Sequence, residues 1–104
     1  MKIVSDFLVI GSGIAGLSYA LKVASHGKVV IVTKREIATT ATSRAQGGIA
    51  AVATTQDSFE QHIADTMEAG AWLPDETVVR TVVEQGPTAI EDLIEWGVNF
   101  SRKS

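Results

Sequence analysis

Gly11-Ser12-Gly13-Ile14-Ala15-Gly16 constrains this chain more than any other run of residues. It is a G-x-G-x-x-G sequence set between an apolar stretch, Asp6-Phe7-Leu8-Val9-Ile10, and a segment of helical period, Ile14 to Ser25. The stretch before it reads as a buried parallel strand. In the segment after it, Ile14, Leu17, Leu21 and Ala24 recur at spacings of three and four and mark one helix face. Gly27 stands where such a helix usually stops. Lys28-Val29-Val30-Ile31-Val32-Thr33 follows as a second strand, rich in β-branched residues. Strand, helix and strand fit within about 30 residues, the size of a βαβ crossover, so the two strands are expected to be parallel neighbours. The fold class is α/β.

Glycine has a distinct task at each position of the run. Gly11 allows the tight turn, Gly13 lets backbone approach a pyrophosphate, and Gly16 lets helix and strand pack closely. Free amides and the positive end of the helix dipole then face the phosphates. Ser12, Ile14 and Ala15 complete this cradle, and dinucleotide binding is the reading. Such folds usually place an acid at the end of the second strand, about 20 residues on, to hold the adenosine ribose. The strand here ends Val32-Thr33-Lys34-Arg35-Glu36. A Thr33 hydroxyl could bond a ribose hydroxyl with Lys34 near the adenine or phosphates, Lys34 and Arg35 could receive a 2′-phosphate, which would mean NADP, or Glu36 could be a displaced acid. Spacing leaves these open.

Residues 34–48 break the pattern. Thr39 to Gly48 is small, polar and without clear period, and a loop of this length in a compact domain is usually functional or disordered. Ile49 to Ala53 reads as a short extended piece. Three helical segments are expected across 57–97: Asp57 to Ala69, with Asp57 and Glu60 in capping-box spacing; a segment capped by Asp75 and ended by Gly86-Pro87; and Thr88 to Trp96, with Ile90, Leu93 and Ile94 inward and Gly97 as its stop.

The length of 104 residues allows one small globular domain and leaves no room for two. Two strands cannot cover their own edges and faces, so this βαβ unit, loop and helices read as the start of a Rossmann-like domain, incomplete as it stands. Charge is divided: residues 1–56 carry a net +4 and residues 57–104 a net −7. A positive first half suits an anionic cofactor, yet it is too sparse for a nucleic-acid footprint. No cysteine is present, which excludes disulfides and thiolate metal sites. The longest apolar run in the N-terminal region, Phe7 to Ile10, is too short for a signal peptide core or a membrane span, and a cytoplasmic location is the expectation. His62, Trp72 and Trp96 read as structural residues, Asp65 and Glu68 as a solvated face, and no metal site is expected.

Thr42-Ser43-Arg44-Ala45-Gln46-Gly47-Gly48-Ile49-Ala50-Ala51 resembles the second FAD-contacting segment of the fumarate reductase and succinate dehydrogenase flavoprotein superfamily, and within it the L-aspartate oxidase family. Asp57-Ser58, His62, Asp65-Thr66, Ala69-Gly70 and Gly97-Val98-x-Phe100 extend the likeness along the whole chain, which matches the amino-terminal portion of the family's longer sequence. The resemblance implies FAD on Gly11 to Gly16, with Thr33-Lys34 replacing the ribose acid and Ala41 to Gly48 as the second contact. Respiratory members carry a flavin-linked histidine where this chain has Ala41, so noncovalent FAD is implied. The implied activity is oxidation of L-aspartate to iminoaspartate, with O₂ or fumarate as electron acceptor, the product passing to quinolinate synthase for NAD biosynthesis. The family's catalytic residues lie beyond this chain's end, and none is assigned here. A different fumarate reductase-type flavoprotein and a noncatalytic nucleotide-binding module are the alternatives.

Overall fold

The computed structural model describes residues 1–34, 36, 41–44 and 48–101. Arg35, Thr39, Thr40, Ala45, Gln46 and Gly47, singled out above, lie outside the described residues. Where the length allows one domain, the chain packs as two compact units, Met1–Gly48 and Ile49–Ser104. Each unit closes on elements near one another in sequence.

In the first unit, β1 (Phe7–Ile10) and β2 (Val29–Val32) form a two-stranded parallel sheet, joined by α1 (Ile14–Val23). The register pairs Phe7 with Val29 and Ile10 with Val32. β-Branched and aromatic side chains favour this pleated surface, and α1 covers one face of it. Val9 and Ala20 are buried, and Phe7 meets Tyr19 edge to face with ring centroids 6.5 Å apart. The other face is open, with Leu8 at 59% exposure and Ile10 at 82%. The strands are therefore not buried on both faces as expected, because a single helix can cover only one. The face of α1 that packs runs through Gly16 and Ala20, which leaves Ile14 and Leu21 about half exposed.

Gly27 owes its identity to something other than a helix stop. α1 ends at Val23 with Ala24 as its cap, and the left-handed backbone belongs to Gly11 (φ 106°) and Gly97 (φ 99°) among the described glycines. At Gly27 an added Cβ would stand 2.6 Å from Asp6 Oδ2. That carboxylate accepts the Lys28 amide at 2.7 Å, while the Asp6 amide donates to the Lys28 carbonyl at 3.0 Å. Asp6 thus fastens the entry of β2 to that of β1. Among the described residues of 34–48, Ala41–Arg44 form a helical turn, α2, where a loop without period was expected. Ile49 to Ala53 forms no strand.

The second unit is a pair of helices, α3 (Phe59–Ala69) and α4 (Glu76–Glu95). Ser58, not Asp57, caps α3: its hydroxyl accepts the Gln61 amide at 3.0 Å, and Asp57 accepts the Ser58 amide one step earlier. Asp75 caps α4 as its spacing predicts, accepting the amides of Thr77 and Val78. The expected break at Gly86-Pro87 does not occur, and two predicted helices are one. A proline clashes with the Cβ of the residue before it, and Gly86 has none. The less exposed residues Val79, Val83, Gly86, Ile90 and Leu93 keep one stripe in register across the junction, whereas Ile94 turns out to be exposed.

Ile63, Met67 and Val83 form the core of this pair, with Val79 packed against them. Ile63 is 3% exposed, so Ile63→Ala is expected to destabilise the unit by about 2–5 kcal/mol. Amide exchange in α3 and α4 measures this, and unchanged protection would show that the core lies elsewhere. On the surface, Arg80 of α4 holds both carboxylate oxygens of Glu60 of α3, at 2.6 and 3.1 Å, and reaches Glu84 at 3.4 Å. The hydrogen bond from Arg80, and then its charge, hold Glu60 below the usual carboxylate range. This tie is present at neutral pH and is lost as acid protonates Glu60. Beyond α3, Ala71 and Trp72 both take left-handed backbone, and Trp72 is 69% exposed rather than packed.

Candidate cofactor site

The glycine run lies at the carboxyl ends of both parallel strands, where ligands bind in open α/β sheets. Gly11 continues the ladder, donating its amide to the Val32 carbonyl at 2.8 Å, and then turns the chain through its positive φ. Gly13 is the N-cap of α1 and offers no side chain to satisfy the amides that follow. The first helical bond runs from the Leu17 amide to the Gly13 carbonyl at 3.0 Å, so Ala15 and Gly16 have no partner within the helix. No acidic residue sits in the first turn to oppose an anion. Gly16 serves packing: an added Cβ would be driven into the Gly11 carbonyl and stand 3.1 Å from Val9 Cγ1.

Two further parts converge on this turn. Ser12 is 3% exposed, and its hydroxyl lies 2.9 Å from that of Thr33 at the exit of β2. This bond ties the glycine turn to the position read as the ribose contact. Thr42 of α2 reaches the head of α1, where its Oγ1 accepts the Ile14 amide at 3.1 Å. The Gly-rich turn, Thr33 and Thr42 therefore form one cluster. Lys34, Ala41, Ser43, Arg44 and Gly48 are exposed, as is Glu36, and Ala45, Gln46 and Gly47 are not among the described residues. Sequence spacing gives no hint of the Thr42 contact, because 28 residues separate the partners.

These features fit a dinucleotide: bare amides at a helix head, backbone without Cβ at the point of approach, and a hydroxyl-lined exit from the second strand. In the second unit, a groove between α3 and α4 is lined by Ala50, His62, Thr66, Val78, Val79, Val82, Val83 and Gly86. Its walls are mostly apolar. His62 takes part in hydrogen bonds through its backbone, its carbonyl accepting the Thr66 hydroxyl at 2.7 Å.

A protein-family model described as an FAD binding domain matches residues 6–104. The chain is 54% identical over 95 residues to L-aspartate oxidase 2-a, chloroplastic, of Nicotiana tabacum, covering 91% of this chain and 15% of the relative. It is 49% identical over 98 residues to the L-aspartate oxidase of Vibrio cholerae, covering 94% of this chain and 18% of that protein. Among solved structures, the E. coli quinol fumarate reductase superposes with a TM-score of 0.86 at 37% identity, over 95% of this chain and 17% of that one. The chain thus spans less than one fifth of the length of each of these relatives. With the cradle built as described and the match running from the first strand to the last residue, the chain belongs to the FAD-binding domain family, and FAD is its cofactor.

Proposed function

We propose that the chain is the FAD-binding amino-terminal portion of an L-aspartate oxidase, acting in the cytoplasm on L-aspartate to give iminoaspartate. The observation that carries this reading is the joining of Thr42, from the second flavin segment, to the head of α1. It brings the two stretches of sequence that resemble the family onto one turn. The identity of 54% to the tobacco oxidase, against 37% to fumarate reductase, favours the oxidase branch. The open sheet face and the small share of each relative's length support a role as part of a larger flavin domain.

Gly11 to Gly16 would hold the pyrophosphate, Thr33 and Lys34 the adenosine end, and residues 41–48 would make the second contact to FAD. FAD, when bound, supplies the two-electron acceptor for hydride leaving the substrate Cα. The residues of this chain bind and orient that group, and none is assigned a proton-transfer role. O₂ or fumarate would accept the electrons, and quinolinate synthase would receive the product. Ala41 carries only a methyl group, so the flavin is held without a covalent bond.

A hybrid tests both parts of the proposal. This chain is exchanged for the matching segment of the tobacco oxidase. The expected product is a yellow protein that forms iminoaspartate from L-aspartate and releases all its flavin on acid precipitation. A hybrid without flavin would overturn the site, a flavin-loaded but inactive one the oxidase assignment, and flavin in the precipitate the noncovalent mode.

A further inference from the structure

We propose that Thr42 is a positioning residue whose hydroxyl holds the Ala41–Arg44 turn on the first amide of α1, setting the wall of the FAD site. The proposal rests on the FAD reading of the cradle above. Helix α1 lacks a cap of its own, since Gly13 has no side chain and the first turn has no acid. Thr42 supplies the cap from a distant part of the chain, accepting the Ile14 amide at 3.1 Å.

The same hydroxyl also lies close to Gly13. The point where a Cβ on Gly13 would sit is 3.4 Å from Thr42 Oγ1. The turn therefore rests directly on the cradle. A threonine hydroxyl has two lone pairs and one proton. Accepting the Ile14 amide uses a lone pair and leaves the proton to be donated to an anionic oxygen over the Ala15 and Gly16 amides. An aspartate could cap the same amide, and aspartate is a favoured cap, but it would meet the phosphate with like charge. Threonine answers both demands because it is a neutral cap.

Thr42→Val, Thr42→Ser and Thr42→Asp separate the roles. Exchange of the Ile14 amide is followed by NMR in the 104-residue chain, and FAD affinity by flavin fluorescence titration of the hybrid oxidase described above. Thr42→Val is expected to speed Ile14 exchange and weaken FAD binding, each about three- to tenfold. Thr42→Ser should restore both. Thr42→Asp should keep Ile14 protected yet weaken FAD by about tenfold or more, a split that a purely structural cap would not produce. Unchanged Ile14 exchange in Thr42→Val overturns the latch. Normal FAD affinity in Thr42→Val or Thr42→Asp overturns its positioning role. If the hybrid oxidase with Thr42 intact binds no FAD, the reading beneath the proposal falls with that role, while exchange still reports whether the hydroxyl holds Ile14.

Discussion

Gly16→Val is expected to unfold the first unit and to remove FAD binding with it. Even the first carbon of the new side chain would be driven into the Gly11 carbonyl, and it would crowd Val9, the buried residue of β1. Backbone is the obstacle, so no rotamer change relieves it. Separating α1 from β1 uncovers Val9 and Ala20, and overpacking of this kind typically costs about 1–3 kcal/mol or more. A sheet of two strands has little reserve against that loss. The measurement is amide exchange resolved by residue. Protection of Phe7–Ile10 and Val29–Val32 should disappear while α3 and α4 keep theirs. Retained protection in β1 would show that α1 can shift without penalty and that Gly16 is not a packing residue.

Gly13→Val is expected to do the opposite, keeping the fold and losing the ligand. The nearest atom to an added Cβ is Thr42 Oγ1 at 3.4 Å, which is ordinary contact, and the backbone of Gly13 is extended rather than left-handed. The branched side chain nevertheless fills the space a pyrophosphate needs over the amides of α1. Losing two charge-assisted bonds there weakens FAD by about a hundredfold. Flavin titration of the variant, with far-UV circular dichroism as the control, checks this. An affinity equal to that of the unsubstituted chain would remove the phosphate from Gly13 and with it the reading of the glycine run.

The contrast between these glycines shows what could be read from the residues. The βαβ unit was legible because strand period, glycine turn and helix period lie next to one another, and local rules govern each. The cap at Asp75 was legible for the same reason. Gly86-Pro87 misled because both residues are helix breakers taken singly, and the absence of a Cβ at Gly86 matters only in combination with Pro87. A stripe of Val79, Val83, Gly86, Ile90 and Leu93 in unbroken register carries the contrary signal. The partnership of Gly27 with Asp6, and that of Thr42 with Ile14, could not be seen, since each depends on where a parallel strand or a distant turn comes to rest. Exposure at Leu8, Ile10 and Trp72 was missed because hydropathy reports what a side chain prefers, not what is there to cover it.

The division of the chain at Gly48 also bears on its birth at the ribosome. Among the described residues, the clasp of Asp6 on Lys28 and that of Thr42 on Ile14 both lie within the first 44 residues. The acidic helices make their own pairing later, between residues 59 and 95. Segments that emerge first are the first able to pair. Vectorial synthesis therefore delivers a shaped nucleotide cradle before the helical pair exists, and an error in one unit leaves the other to assemble on its own schedule.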